Sequence, residues 1–340
     1  MTGGIVVGNK VVVRHYFLEA FTPKGYFTLL PELLKRIKST YLLSGGPGTG
    51  KSTMIKLIGI ELIDRGYDVD YIRSVRNPDS VAGLCLPKND ICLLDKKEFN
   101  IEKVKENDEK YRIINFENFC RENKLKNYSD RIKELEHELK ILEKGLMDCL
   151  KDEYGIGENN TKENGASLKV INESSTNEKN RNGKENLAEI LLEVKKSNIS
   201  FCFLHALNVD GWLNIAPRYL KDYDRICLDF NDSTKVVKDI YKEIKCLGQV
   251  VEIVIHPLRT DTVMGLIFPS KNLAVWQGNP SDVEEQGLKK KHSSVLEEQI
   301  EKYRIKRVQI KSIYNKTVNF SDLDELRNEF TSSILADLRG

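Results

Sequence analysis

Apolar residues fall into short continuous runs and into runs with helical spacing. The run TYLLS (40–44) is short and rich in residues that favour strands, so it predicts a strand. From residue 54 to residue 63 apolar side chains recur three and four positions apart, which predicts a helix, and Gly66 follows as its C-cap. The run ICLL (91–94) predicts a second, buried parallel strand. Strands alternating with helices in this way are typical of an α/β fold.

A glycine-rich loop, GGPGTGKST (45–53), separates the first strand from the helix and fits G-x-x-x-x-G-K-[ST] at every position. Glycines allow backbone N–H groups to point at a phosphate, and the helix N-terminus adds its positive end. We expect Lys51 to reach the β- and γ-phosphates and the Ser52 hydroxyl to ligate Mg²⁺. The predicted nucleotide-binding residues are Gly45, Gly46, Pro47, Gly48, Thr49, Gly50, Lys51, Ser52 and Thr53.

A phosphate loop of this kind also needs a carboxylate for the metal at the end of a neighbouring strand. Asp95 directly follows ICLL, so the predicted Mg²⁺ ligands are Ser52 and Asp95, and the predicted catalytic residues are Lys51 and Asp95. The alternative is an aspartate that merely ends a strand. Many ATP-hydrolysing proteins place a glutamate directly after this aspartate, but here two lysines follow and Glu98 comes three residues later. The sequence therefore identifies no base.

The choice of nucleotide depends on a second motif. The guanine-binding pattern N-K-x-D is missing, since its closest match, NKLK (123–126), lacks the aspartate. ATP is therefore the expected nucleotide, with Mg²⁺ as its cofactor.

Two segments of the first half return in the second half. FLEAFTPKGYFTLLPELLK (17–35) matches FLHALNVDGWLNIAPRYLK (203–221), 186 positions later, and RNPDSVAGLCLPKNDICLLD (76–95) matches LRTDTVMGLIFPSKNLAVWQ (258–277), 182 positions later. The words EKYRI (109–113, 301–305) and NYSD/NFSD (127–130, 319–322) extend the match. The chain therefore reads as a duplicated α/β fold.

The second copy differs at the predicted site. FNDSTK (230–235) stands in place of the glycine loop, and Gln277 stands in place of Asp95. We expect this copy not to bind Mg–nucleotide. We expect residues that are kept in both copies to have a structural role. Residues found only in the first copy, among them Arg14 and His15, are better candidates for the functional site. The kept pairs are Asp79/Asp261, Gly83/Gly265 and Pro87/Pro269.

The remaining segments are helical or polar. Apolar residues from 132 to 150 alternate three and four apart, which predicts a helical hairpin or a coiled-coil contact, either within the chain or with a partner. The segment 155–186 is polar and predicts a disordered linker. The predicted organisation is a nucleotide-binding α/β domain (1–100), a helical extension (101–154), the linker (155–186), a degenerate repeat (187–288) and a helical tail (289–340).

Composition narrows the class of protein. Lys and Arg total 53, Asp and Glu total 51, and the net charge of +2 argues against nucleic acid as the main partner. No run of 18 apolar residues occurs, so we expect no membrane span. The seven cysteines include no C-x-x-C pair, which suggests reduced thiols in a cytoplasmic protein.

The segments VRHYF, TPKGYF, GGPGTGKST, GYDVDY and PDSVAGL resemble an uncharacterised family of bacterial tandem P-loop ATPases. The resemblance implies a P-loop NTPase-type, mostly parallel sheet in each of two similar halves, each with a helical extension. Family members usually keep a P-loop in both halves, whereas only one is present here.

The sequence is compatible with three functions. The first is a weak ATPase or an ATP-dependent switch with one active site, in which the second copy supplies a residue such as Arg259. The second is a small-molecule or nucleotide kinase, because phosphoryl transfer needs mainly positioning and charge neutralisation. The third is a non-catalytic scaffold that retains nucleotide. A protein partner, or self-association through the helical extensions, is compatible with each.

Overall fold

A computed structural model describes residues 11–22, 25–77, 80–101, 108–154, 199–208, 211–228, 250–260, 262–281 and 292–338. The predicted linker (155–186), the segment FNDSTK (230–235), and both Asp79 and Asp261 lie outside these residues.

The strands are β1 (Val13–Tyr16), β2 (Glu19–Thr22), β3 (Gly25–Thr28), β4 (Ser39–Ser44), β5 (Val69–Arg73), β6 (Val81–Leu86), β7 (Ile91–Asp95), β8 (Tyr111–Asn115), β9 (Ile199–Cys202), β10 (His205–Asn208), β11 (Gly211–Asn214), β12 (Asp224–Leu228), β13 (Val251–Ile255), β14 (Val263–Phe268) and β15 (Leu273–Gln277). The helices are α1 (Leu30–Leu34), α2 (Lys51–Asp64), α3 (Glu122–Asn127), α4 (Ser129–Tyr154), α5 (Ala216–Tyr219), α6 (Ser294–Thr317) and α7 (Phe320–Asp337). Short 3-10 helices span Phe116–Phe119 and Pro269–Lys271.

The chain divides into two compact units that are interleaved in sequence. The first comprises Met1–Tyr16, Leu33–Glu143 and Ile300–Gly340, and the second comprises Phe17–Glu32 and Lys144–Gln299. The domains predicted from sequence are continuous segments that follow one another, whereas each compact unit consists of segments that are far apart in sequence.

The first unit is built on a six-stranded sheet in the order β1-β5-β6-β7-β4-β8. The central strands are largely buried; every residue of β6 is apolar and buried, and so are the first four residues of β7. The α2 side chains Met54, Ile55, Ile58 and Leu62 and the α7 side chains Phe330 and Ile334 share one core with the sheet. Burial of this apolar surface is the main force that stabilises the unit.

The second unit contains a five-stranded sheet in the order β12-β15-β14-β13-β9. Two hairpins, β2–β3 and β10–β11, belong to the same unit. They meet where Phe17 and Phe203 exchange both backbone hydrogen bonds, each with an N···O distance of 2.9 Å. Both phenylalanines are fully buried.

The α/β class is confirmed, but the sheets are mixed rather than mostly parallel. In the first sheet β1·β5, β4·β7 and β4·β8 are parallel, whereas β5·β6 and β6·β7 are antiparallel. Residues 81–95 form the β6–β7 hairpin. A hairpin joins its strands antiparallel because a short turn cannot make the crossover that a parallel pair requires.

The predicted helical extension (101–154) also contains a strand. Tyr111–Asn115 forms β8 and pairs parallel with β4. The two copies of EKYRI therefore differ, since Tyr111 to Ile113 lie in a strand and residues 301–305 lie in α6. This part of the predicted repeat is wrong, because the five residues EKYRI fit either a strand or a helix, and the neighbouring strand β4 decides between them.

The heptad positions on α4 pack within the chain. Ile132, Leu135, Leu139, Leu146 and Leu150 are buried, and Leu142 is partly buried. In the first unit Tyr303 of α6 donates a hydrogen bond to Glu143 at 2.8 Å, and Lys306 pairs with Glu138 at 2.5 Å. These contacts favour the intrachain alternative, with α6 as a neighbour of α4.

The expectation that all cysteines are reduced is wrong for two of them. Cys85 and Cys92 face each other across β6 and β7, with Cα atoms 4.2 Å apart, and form a disulfide. No C-x-x-C spacing signals this pair, because the β6–β7 register brings the two residues together rather than a local motif.

Candidate functional site

The glycine loop joins β4 to α2 as the sequence predicts. Gly45, Gly48 and Gly50 have φ angles of 125°, 94° and 98°, a region that favours glycine. Helix α2 begins at Lys51, three residues before the first apolar position of the predicted helix, with Gly50 as its N-cap. The buried Thr49 donates its hydroxyl to the Gly46 carbonyl at 2.9 Å, which closes the loop on itself.

Lys51 lies inside the loop, and its side chain is only 4% exposed. Its Nζ donates to the carbonyl oxygens of Gly45 at 2.6 Å and Gly46 at 2.8 Å. The same Nζ lies 3.5 Å from Asp95 Oδ2. A buried ammonium requires such acceptors, since an unpaired buried charge is costly.

The sheet register brings Asp95 to this loop. Strands β4 and β7 are parallel neighbours in which Leu43 lies opposite Asp95, so both strands end at the same edge of the sheet. Asp95 Oδ1 accepts hydrogen bonds from the backbone N–H of Lys97 and of Glu98, at 3.0 and 3.2 Å. Burial raises the pKa of Asp95; Lys51 opposes this shift, and the neighbouring Glu98 adds to it.

Ser52 occupies the first turn of α2, where its hydroxyl oxygen accepts a hydrogen bond from the N–H of Val81 at 3.0 Å. Serine hydroxyl and carboxylate oxygens are ligands that Mg²⁺ takes in proteins, so Ser52 and Asp95 could contribute to a magnesium site. Over the described ranges no three His, Cys, Asp or Glu side chains cluster as a metal site. A magnesium ion here would therefore take its other ligands from phosphate and water.

The turn that follows β7 places Glu98 beside Asp95. Its side chain is 10% exposed and accepts a hydrogen bond from the Ser74 hydroxyl. Arg307 Nη2 of α6 lies 3.5 Å from Glu98 Oε2, and Arg76 Nη1 lies 4.0 Å from Oε1. Burial acts to raise the pKa of Glu98, but the two guanidinium groups and Ser74 outweigh it and hold this pKa below its usual value. Glu98 is therefore a buried, ionised carboxylate beside Asp95.

Helices α6 and α7 lie against the glycine loop. A Cβ built on Gly46 would lie 1.9 Å from Tyr314 Cζ, and one built on Gly48 would lie 2.6 Å from the Lys311 carbonyl oxygen. A Cβ on Gly50 would lie 2.8 Å from Leu323 Cδ1. These glycines therefore also permit close packing of the C-terminal helices.

Glu117 contacts the start of the loop. It follows β8, and its Oε1 accepts a hydrogen bond from the Gly46 N–H at 3.1 Å. The Tyr314 hydroxyl donates to the same oxygen at 3.4 Å. Sequence reasoning missed Glu117, Tyr314 and Arg307, because nothing in their local sequence signals contacts this distant: Glu117 and Gly46 are 71 residues apart, and Tyr314 and Glu117 are 197 residues apart. Only Glu117 could have been found from sequence. A prediction of β8 beside β4 would have placed the residues that follow β8 next to the glycine loop.

The other sequence candidates have different surroundings. Arg14 makes a bidentate pair with the buried Asp70, at 2.7 and 2.8 Å, and so stabilises the β1–β5 edge. His15 stacks on Tyr71 with ring centroids 5.1 Å apart, beside a cavity of about 410 Å³. Arg259 belongs to the second unit, where its N–H donates to His256 Nδ1 at 3.1 Å. Its predicted role at the nucleotide stays a prediction.

The pairs kept in both copies are explained in part. A Cβ on Gly83 would lie 2.7 Å from Leu94 Cδ2, and one on Gly265 would lie 2.4 Å from Trp276 Cε3. Each glycine is thus required by the side chain opposite it on the next strand. This accords with a structural role for that pair.

None of the helices in the described parts of the chain is both long and apolar enough to cross a membrane. Comparisons with protein-family models, with curated proteins and with solved structures gave no match for this chain. The resemblance to tandem P-loop ATPases therefore rests on the sequence segments alone.

Proposed function

We propose that this protein binds Mg–ATP at the glycine loop of its first unit and acts as a weak ATPase or an ATP-dependent switch. The observation that carries the proposal is the meeting of Lys51 with Asp95, 3.5 Å apart. A glycine loop that opens a helix, its lysine, and a carboxylate at the end of the adjacent parallel strand are the parts that phosphoryl chemistry on ATP requires.

In this proposal each residue has one role. The N–H groups from Gly45 to Thr53 cradle the phosphates, and Lys51 neutralises their charge. Ser52 and Asp95 hold Mg²⁺, which supplies charge stabilisation at the transferred phosphoryl group. Glu98 is the carboxylate that orients the attacking water, because it is ionised, buried and hydrogen-bonded through its N–H to Asp95. Arg76 and Arg307 position Glu98.

A switch is favoured over a simple hydrolase by the helices that contact the loop. Tyr314 of α6 and Leu323 of α7 lie against Gly46 and Gly50, so nucleotide at the loop would act on α6 and α7 directly. Phosphate contacts that order or release neighbouring segments are a general means of coupling nucleotide state to shape.

We also propose that the two units derive from one duplicated P-loop-type unit. Strands β9, β13, β14, β15 and β12 follow the same neighbour order and directions as β1, β5, β6, β7 and β4. A register shift occurs after Ile72 in one sheet and after Val254 in the other, and these positions have the same offset of 182 as the matched segments 76–95 and 258–277 that follow them. In this scheme only the first unit keeps a nucleotide site.

Turnover of ATP by the purified chain distinguishes the candidate functions. Steady phosphate release with Mg²⁺, lost in Lys51→Ala, would support the ATPase. Binding with no turnover in water, but with turnover when small-molecule acceptors are added, would replace it by a kinase. Binding without turnover under either condition would leave a switch or scaffold, and no binding would overturn the proposal.

A further inference from the structure

The glycine loop is engaged by groups of its own chain at the places where phosphate oxygens would bind. Glu117 Oε1 accepts the Gly46 N–H at 3.1 Å, and the loop carbonyls of Gly45 and Gly46 hold the Lys51 ammonium. A carboxylate at a loop N–H is the arrangement that an anionic ligand would make there. The chain thus supplies an internal anion.

The space beside the loop is also filled. The Tyr314 side chain is buried and lies against Gly46, while the Lys311 carbonyl and the Asn315 Oδ1 lie beside Gly48, at 2.6 and 3.1 Å from a Cβ built there. Leu323 lies beside Gly50. We call these four residues together with Glu117 the cover.

The parts of the cover depend on one another. The Tyr314 hydroxyl donates to the same Glu117 oxygen that accepts the Gly46 N–H. Burial and the neighbouring Glu117 carboxylate raise the pKa of Tyr314, so this hydroxyl keeps its proton. Phosphate at Gly46 would displace Glu117, and Tyr314 would then lose its acceptor.

We propose that the cover is an autoinhibitory contact: Glu117 occupies an anion position of the loop, and Tyr314 fills the adjacent space, until Mg–ATP displaces both. The inference rests on the proposed function and specifies how that site is regulated. Binding of ATP would release the C-terminal turn of α6 and the start of α7. Release of these segments is then the conformational output of the nucleotide.

Equilibrium titration with Mg–ATP tests the proposal. Tyr314→Ala removes the ring and should tighten binding about tenfold, since a closed cover lowers the fraction of molecules competent to bind. Glu117→Ala, which leaves the buried ring in place, should tighten binding several-fold. Tyr314→Phe keeps the ring and should bind close to wild type. Glu122→Ala, at an exposed glutamate on α3, controls for the loss of a negative charge.

The outcomes distinguish a failure of the autoinhibitory proposal from a failure of the proposed ATP site. If wild type binds ATP and neither Tyr314→Ala nor Glu117→Ala binds more tightly, the cover is overturned and the ATP site stands. If no variant binds ATP, both fail. Should Tyr314→Ala not fold, Glu117→Ala and amide hydrogen exchange of wild type decide. Exchange in residues 311–323 should rise with saturating Mg–ATP, and unchanged or slower exchange would contradict release.

Discussion

Lys51 Nζ lies 3.5 Å from Asp95 Oδ2, although the two residues belong to different segments of the chain. The pairing follows from the parallel register of β4 and β7, in which Leu43 lies opposite Asp95. An ammonium and a carboxylate at the same sheet edge, with a glycine loop between strand and helix, are the features on which the proposed site for a nucleoside triphosphate and its metal rests. The predictions below follow from this edge and from the packing around it.

Glu98→Gln should lower ATP turnover at least about a hundredfold, because a positioned acid–base group typically contributes about 10²–10⁴-fold. Binding of Mg–ATP should change little, since Glu98 is not among the residues proposed to hold phosphate or metal. Single-turnover kinetics and a binding titration give the two quantities. Glu122→Gln, an exposed glutamate, is the matched control, and equal turnover by wild type and Glu98→Gln would remove Glu98 from the mechanism.

The stability conferred by Glu98 should depend on pH. Its folded pKa lies below the ordinary value of 4.5, so the unfolded chain binds the proton more readily than the native protein does. The advantage of wild type over Glu98→Gln in free energy of unfolding is therefore fully present above about pH 4.5. It is lost as the pH falls through the lower folded pKa. Urea unfolding of both proteins across this range checks the sign, and a difference that grows on acidification would contradict it.

At neutral pH the same substitution should cost on the order of 3 kcal/mol, because it removes the buried carboxylate that faces Arg307 and Arg76. Arg76 keeps its ion pair with Glu143 at 3.0 Å. Glu122→Gln should change the free energy of unfolding by less than about 0.5 kcal/mol, as is usual for a surface position.

Cys85 and Cys92 should be recovered as a disulfide. Trypsin cleaves after Lys88, which lies between them, so mass spectrometry of an unreduced digest should find two peptides joined through sulfur. The same digest after reduction is the control. If the protein is treated with an alkylating agent before digestion, two separate peptides with alkylated cysteines in the unreduced sample would mean that the cysteines are reduced in the protein.

Phe203→Ala should destabilise the second unit by about 3–5 kcal/mol, the usual cost of removing a buried phenylalanine ring. Phe203 is fully buried, and its ring packs edge-on against that of Phe27 at 6.1 Å. Phe320→Ala removes the same side chain from a position that is 60% exposed and should cost under about 0.5 kcal/mol. Chemical denaturation of the two variants tests the contrast, and equal losses would contradict the packing described for the two hairpins.

The local parts of the site were predictable from sequence. The strand before the loop, the helix after it and the strand that ends at Asp95 are each encoded by a short pattern, and all three are present. The two ends of the pair Lys51–Asp95 could be named because parallel strands end at one edge of a sheet. This prediction depends only on neighbouring strands of one sheet and on the helix that follows the first of them.

The features that the sequence did not predict depend on contacts between distant segments of the chain. The word YRIIN carries no turn or period that separates a strand from a helix, and β8 exists because β4 offers a free edge. Likewise Tyr314 is one of several aromatic residues in the tail, and only the folded chain brings it to Gly46. Glu98 comes three residues after Asp95 in sequence, but the turn after β7 brings its backbone N–H within hydrogen-bond distance of the Asp95 side chain.

Equilibrium binding of Mg–ATP to wild type and to Lys51→Ala tests the central claim most directly, with Lys56→Ala, an exposed lysine of the same helix, as control. We predict that wild type and Lys56→Ala bind alike and that Lys51→Ala binds about a hundredfold more weakly, since hydrogen bonds to a charged group contribute about 1.5–3 kcal/mol. Binding by Lys51→Ala as tight as that of wild type, or no binding by any of the three, would contradict a nucleotide site at the glycine loop.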